Sequence, residues 1–330
     1  MRITYRQWLA AATLALLAAG TAQAAGPYDP ATVHSGEGTY YQYSGGGNCS
    51  YPLPASGTYT AAMNNTDYAN SQACGAWITV TNPATRQSVR VRIDDRCPEC
   101  APGDVDLTQA AFSRISPLAA GRIRINWRHV AGTAAEMKLY FKEGSSRYWT
   151  AVQVRDHKYP IRSLSYRRTG SGASFVSVPR ASYNYFIASS GMGVGPYDFR
   201  IVDVHGRAVV VNNVGLRLTT PISTGKQFPT LSTTAALTAS ADATVEPVAA
   251  TTRVLGKRSD AGESCVQVTA SNPDRRSREW EAVLHLEGTL VRFSDADIEQ
   301  EGDIIVVRGM DHNRQLPAGG STRFEYCTVR

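Results

Sequence analysis

Apolar and polar positions alternate in short runs along most of the chain, with a period of two. Val91 and Ile93 alternate with Arg90 and Arg92, and Val105 and Leu107 alternate with Asp104 and Asp106. This is the period of strands with one buried face. Between the two runs, Pro98, Pro102 and Gly103 interrupt regular structure. The same alternation predicts strands over Gly38–Tyr43, Trp77–Thr81, Ser88–Ile93 and Arg122–Val130. One helix is expected over Gln109–Ile115, with Thr108 as its N-cap and Ala111, Phe112 and Ile115 on one face. Further strands are expected over Met137–Lys142, Thr150–Val154, Ser163–Arg167, Phe199–Val204 and Ala208–Asn212, with a turn at His205–Gly206. Closely spaced strands without a helix read as a small β-sandwich. Alternation returns in Trp280–Leu286 and Asp303–Arg308.

Two stretches depart from this pattern. Residues 1–24 carry Arg2 and Arg6, an apolar run from Trp8 to Ala19, and small residues at Ala22-Gln23-Ala24, which together read as an export signal. The apolar run is short for a membrane span, so a secreted, extracellular protein is expected. Residues 219–252 are rich in Thr, Ser, Ala and Pro and nearly uncharged; such a run cannot bury a core and places a flexible linker over 222–258. A chain of 330 residues suits several domains, and these breaks divide it into 33–130, 136–221 and 259–330.

Charge and cysteine divide along the same boundaries. Residues 136–221 hold twelve Lys/Arg against five Asp/Glu, whereas 33–130 hold eight against seven. The net charge of +6 therefore resides in the middle segment. Outside a cell such a surface points to an acidic polysaccharide or a membrane face in preference to nucleic acid. Four cysteines (Cys49, Cys74, Cys97, Cys100) lie in the first segment and two (Cys265, Cys327) in the last. Even numbers in an exported chain argue for disulfides within each domain. Cys97-Pro-Glu-Cys100 lacks the βαβ context of a redox motif and the second pair of a zinc ribbon. A structural disulfide is the preferred reading. A Cys265–Cys327 bridge would close a long loop and stabilise by about 4 kcal/mol.

Around the Pro98–Gly103 loop gather Asp94, Asp95, Glu99, Asp104 and Asp106. Carboxylates at strand ends suit glycan chemistry or glycan binding. The plainer alternative is that they solvate the loop or pair with Arg92 and Arg96. Here specific motifs enter. Gly38-Thr-Tyr-Tyr41, Asp95-Arg-Cys-Pro98, Asp104-Val-Asp-Leu-Thr-Gln-Ala-Ala-Phe112 and Gly121-Arg-Ile-Arg-Ile-Asn-Trp127 resemble the double-psi β-barrel of expansins, shared with family 45 glycoside hydrolases and lytic transglycosylases. Lys142 to Pro160, with Tyr183-Asn-Tyr-Phe186, resembles the second domain of bacterial expansins. Leu316 to Tyr326 is similar to the closing strands of family 2 carbohydrate-binding modules, and Trp280 matches their buried Trp.

The resemblance implies a mainly β protein: a six-stranded double-psi barrel, an Ig-like sandwich and, after the linker, a second small sandwich. By position, Asp106 matches the acid that expansins retain from the hydrolase site, and Asp95 and Thr39 match polar residues of the same groove. Cys97 replaces an aromatic found in many relatives. Tyr148, Trp149 and Tyr183 match a flat cellulose-binding strip, with Lys142 nearby. Adjacent strand residues face opposite ways, so Tyr148 and Trp149 share a surface only at a bulge or strand edge. In plant expansins a first Cys joins a later Cys-Gly, which Cys49 and Cys74-Gly75 fit. Phe293 and His312 stand near where a terminal module would carry binding aromatics. The implied activity is loosening of plant cell walls without hydrolysis, by a monomer that binds cellulose and other plant cell-wall polysaccharides such as acidic pectin, with no metal, cofactor, nucleic acid or membrane partner. The alternatives are a glycoside hydrolase or lytic transglycosylase, and a binding protein with an inert barrel.

Overall fold

A computed structural model describes residues 27–231, 248–258, 263–301, 304–310 and 312–329. The export signal and the centre of the expected linker lie outside the described residues.

The first unit has six strands: β1 (His34–Tyr41), β2 (Thr60–Asn64), β3 (Trp77–Asn82), β4 (Gln87–Cys97), β5 (Val105–Thr108) and β6 (Ile123–Val130). Their pairings close a ring in the order β1, β5, β2, β4, β3, β6 and back to β1. Two of the pairings, β1 with β5 and β2 with β4, are parallel. Closure leaves few free edges, the start of β4 at Gln87–Val89 being one that β2 does not cover. Inward residues such as Ile78, Val80, Val91, Ile93, Leu107, Ile125 and Trp127 fill the barrel. Strand β2 escaped the alternation analysis because all five of its residues are buried, so no polar face marks it. The expected seven-residue helix is shorter. Its regular part spans only Gln109–Phe112, and Thr108 makes no side-chain cap bond.

The middle unit is a sandwich of two four-stranded sheets. One contains Val176–Val178 (β10), Ile161–Arg168 (β9), Tyr197–Asp203 (β12) and Ala208–Val214 (β13). The other contains Phe186–Ala188 (β11), Thr150–Arg155 (β8), Lys138–Phe141 (β7) and Ile222–Ser223 (β14). Phe141, Val152, Leu164, Phe186 and Phe199 meet between the sheets. Residues 222–231, assigned to the linker from composition, belong to this unit. Strand β14 pairs with β7, Phe228 is buried in the core, and Gln227 bonds to the carbonyls of Ala134 and Asp156. The other end of the expected linker is also ordered, as strand β15 (Ala249–Arg258).

The terminal unit contains β15, β16 (Glu263–Ser271), β17 (Arg278–Glu279), β18 (Glu281–His285), β19 (Thr289–Ser294), β20 (Asp297–Glu301), β21 (Ile304–Arg308), β22 (Gln315–Leu316) and β23 (Ser321–Val329). Trp280 lies in its core beside Phe324. This unit is docked on the barrel. Arg292–Ser294 of β19 pair antiparallel with Gln87–Val89 of β4, so the module's sheet continues into the barrel wall. Buried Glu263 accepts from Tyr59 Oη at 2.6 Å and pairs with Arg114 at 3.0 Å. Arg128–Asp297 and Arg86–Asp295 pairs flank the seam. Disulfides join Cys49–Cys74, Cys97–Cys100 and Cys265–Cys327. The last links directly opposed residues of β16 and β23.

Candidate functional site

The parallel pairing of β1 and β5 sets Thr39 beside Asp106 and Tyr41 beside Thr108. Alternation sends Gly38, Tyr40, Val105 and Leu107 to the core side and leaves Thr39, Tyr41, Asp106 and Thr108 on the outer face. Thr39 Oγ1 donates to Asp106 Oδ1 at 2.6 Å. Burial pushes the Asp106 carboxyl above its ordinary pKa. The Thr39 bond opposes that shift, and the charges of Glu99 and Asp95 add to it. Asp106 thus presents a half-buried carboxyl on the outer face, with one oxygen already accepting from Thr39.

Asp95 reaches the same face through an irregularity. In the β2–β4 register Ala61 faces Ile93 but Ala62 faces Asp95, so Asp94 is an extra residue in β4. Strict alternation from Val91 and Ile93 would point Asp95 inward; the bulge turns it outward. Ala62 also faces Asp106, so the two carboxylates sit two strand spacings apart, about 10 Å between backbones. Asp95 is heavily committed. Its Oδ1 accepts from the backbone amides of Asn48 at 2.5 Å and Arg96 at 2.8 Å, and Tyr41 Oη lies 3.5 Å from Oδ2. The other loop carboxylates have plainer roles. Asp94 is fully buried and takes two bonds from Arg92. Asp104 accepts from the amides of Glu37 and Ala101, and Glu99 is exposed.

The middle unit continues this surface. Asn48, whose amide holds Asp95, donates through Nδ2 to the Ser182 carbonyl at 2.8 Å, and Ser50 Oγ donates to the Tyr183 carbonyl at 3.1 Å. Gln153 and Asn184 donate to the Cys49 carbonyl. The segment carrying Tyr183 is therefore clamped to the barrel beside the Cys49–Cys74 bridge. Tyr183 is 41% exposed and Tyr148 68%; Trp149 is half-buried. Tyr148 and Trp149 lie in a tight reversal closed by Ser146 N–H to Trp149 O at 2.6 Å, which removes the strict alternation of a regular strand. Gly191 backs this reversal: with φ at +72°, a Cβ there would lie 2.1 Å from Arg147 O. Lys142 is exposed at the start of the same hairpin.

Sequence reasoning missed several residues. Arg147 stacks over the Tyr148 ring at 4.6 Å and donates to its hydroxyl. Tyr41 and Tyr43 border the groove, their rings 5.9 Å apart; their spacing of two from Thr39 was the available signal. Asn48 carried no pattern. In the terminal unit Trp280, Phe293, Phe324 and Tyr326 are all buried, so Phe293 is a core residue and not a binding aromatic. His312 lies 3.4 Å from Asp295. Among the described residues, no helix is long and apolar enough to cross a membrane. The sole cluster with metal-ligand spacing there is Glu263 with Cys265 and Cys327, whose sulfurs are joined to each other.

A closed six-stranded barrel with an acid-lined outer groove, clamped to a sandwich that presents exposed aromatics, defines a protein of the double-psi barrel class. Residues 36–127 match the family model described as "Lytic transglycolase". The chain is 36% identical over 194 residues to Expansin-YoaJ of Bacillus subtilis, covering 57% of this chain and 80% of that protein. A Clavibacter michiganensis expansin, solved in complex with cellohexaose, superposes with a TM-score of 0.56 at 28% identity, covering 61% of this chain and 100% of the other. The papain inhibitor of Streptomyces mobaraensis is 35% identical over 127 residues, 37% of this chain and 87% of the inhibitor. The chain belongs to the expansin family, and its function is of the expansin type.

Proposed function

We propose that this secreted protein binds cellulose and related plant cell-wall polysaccharides across the barrel and the middle sandwich, and loosens their contacts without cutting them. The observation that carries this reading is the unequal state of the two groove carboxylates. Inverting hydrolysis needs an acid and a second carboxylate free to activate water, with the carboxyl groups about 6.5–9.5 Å apart. Asp106 suits the acid. Asp95 is near that separation by strand register, but one of its oxygens is held by two backbone amides. That oxygen is committed to the backbone of the groove wall, and Tyr41 Oη lies 3.5 Å from the other, so the carboxylate is not held free for a water. Asp106 and Thr39 then serve as polar contacts to a glucan chain, with Asp95 ordering the groove wall. Tyr148, Trp149 and Tyr183 anchor the protein on cellulose, with Lys142 and the basic middle surface adding attraction for acidic pectin.

The cutting alternative, a hydrolase or lytic transglycosylase, is favoured by the raised Asp106 carboxyl and by the description of the matching family model. The two are separated by incubating the purified protein with cellulose, soluble β-glucan and peptidoglycan. Wall extension under load without released reducing ends or anhydro-sugars is expected. Steady product release that disappears in Asp106→Asn would overturn the non-cutting reading. Binding without wall extension would leave the barrel inert.

A further inference from the structure

Beyond Thr39 and Asp106 the outer face of β1 and β5 continues to Tyr41 and Thr108, and there it opens into a depression of about 510 Å³. Its far wall is the 53–60 segment, and its floor runs onto the short helix at Gln109 and Ala110. That volume lies within the roughly 300–1,000 Å³ of small-molecule clefts. We propose that this depression is a sugar subsite for one neutral hexosyl unit of a glycan lying along the groove, and that the terminal module holds its wall. The proposal rests on the polysaccharide-binding reading above.

The lining sets the ligand class. Exposed Gln42, Ser56 and Gln109 supply groups that both donate and accept, which suits sugar hydroxyls. Leu53, 63% exposed, together with Ala110 offers an apolar patch for the C–H face of a ring. Two lining hydroxyls, Tyr43 Oη and Thr60 Oγ1, are buried and have no partner among the described residues. Both atoms lie beneath the accessible surface, so they back the wall of the depression and the contacts to a ligand fall to the exposed groups above them. No carboxylate lines the depression. Its one cation, Arg114, is neutralised by Glu263 of the terminal module at 3.0 Å. That neutralisation selects against a uronosyl unit.

The module also supports the wall mechanically. A Cβ on Gly57 would lie 3.0 Å from Val329, and Tyr59 donates to Glu263. The wall segment is thus held between the barrel and the last strand of the chain. The module, which buries all four of its aromatics, has here a role that needs no exposed ring.

The test uses the full-length, isotope-labelled protein titrated with cellohexaose and, separately, with trigalacturonate. Amide shifts at Ser56, Gln109 and Ala110 should move together with those at Thr39 and Asp106. Ala110→Trp, an exposed helix position, fills the depression. It should abolish the first group of shifts, keep the second, and weaken hexaose binding about fivefold, the worth of one lost hydrogen bond. Glu263→Gln keeps the Tyr59 contact but restores the Arg114 charge, and should raise trigalacturonate affinity about threefold. Shifts confined to Thr39 and Asp106 would overturn the subsite and leave the groove reading standing. Shifts at neither place would sink both. Unchanged trigalacturonate affinity in folded Glu263→Gln would overturn the charge-based selection.

Discussion

His157 gives the barrel–sandwich seam a defined response to acid. Its ring is 2% exposed and lies against the barrel, where a Cβ on Gly75 would come within 2.7 Å of Nε2. No side chain among the described residues partners either ring nitrogen, and the Tyr159 backbone interacts with the ring. Burial, followed by the charge of Arg180, lowers its pKa from 6.5 to about 4, while Asp156 opposes the shift. Between these two values the unfolded chain holds a proton that the folded one refuses, so stability falls as pH drops through that window. A shift of about 2.5 units is worth about 3 kcal/mol, nearly all lost by pH 4. His157→Leu removes this titration while roughly keeping the volume. Urea unfolding of both proteins at about pH 7, 5.5 and 4 measures it. The wild type should lose about 3 kcal/mol more than the variant between pH 7 and pH 4. His129, pushed down to about 3 by burial and then by the charges of His34 and His205, costs stability through the same window and on down to about pH 3 in both proteins, so its contribution cancels in the comparison. Equal loss in the two proteins would refute the assignment of the interface proton to His157.

Three other outcomes are expected. Asp106→Asn should abolish wall loosening while weakening cellulose depletion isotherms far less than Tyr148→Ala with Trp149→Ala does, because the aromatics lie on the other domain; equal loss of both in a folded variant would contradict that division. Raising salt from 0.1 M to 1 M shortens the Debye length from about 10 Å to about 3 Å. It should strip the protein from pectin-containing walls but not from pure cellulose, whereas Tyr148→Ala with Trp149→Ala should do the reverse; equal salt release from both materials would make the middle sandwich a general polyanion binder. Gly191→Ala should destabilise by about 1–3 kcal/mol through the clash with Arg147 O and weaken cellulose binding by displacing the reversal that carries Tyr148; an unchanged isotherm would separate that reversal from binding.

Much of the barrel was legible because its strands have one wet face. The polar partners of Val105 and Leu107 marked both the strand and the outer residues among which the groove lies, whereas Arg90 beside Val91 is itself buried and donates to the Ala131 carbonyl. Legibility failed where the two-residue period fails. Strand β2 is buried throughout, and so carries no alternation. Asp95 faces outward only because Asp94 is an inserted residue, and nothing in local composition announces a bulge. The linker failed for a different reason. Residues 222–231 mix small polar residues with Ile222, Phe228 and Leu231, and they gain their order from distant partners, as when Phe228 enters the sandwich core and Lys158 Nζ donates to Thr230 Oγ1. The docking of the terminal module was invisible for the same reason, since it rests on pairing between β19 and β4 across some two hundred residues.

That docking changes how the three units work together. Modules on a flexible tether reach a shared surface independently, and the second contact gains only the effective concentration that the tether sets. Here the Tyr183 segment is pinned to Asn48, whose amide holds Asp95, while the far end of the groove is pinned through Tyr59 and Arg114 to Glu263. Ordering the domains against one another therefore costs nothing further at the moment of binding, which is the gain from preorganisation. A rigid body also transmits force. When the anchored sandwich is displaced on a fibre, the Thr39–Asp106 contacts move with it instead of being absorbed by a slack joint. On the proposed non-cutting reading, prying glucan contacts apart depends on that stiffness, which the polar bonds at the two seams would supply.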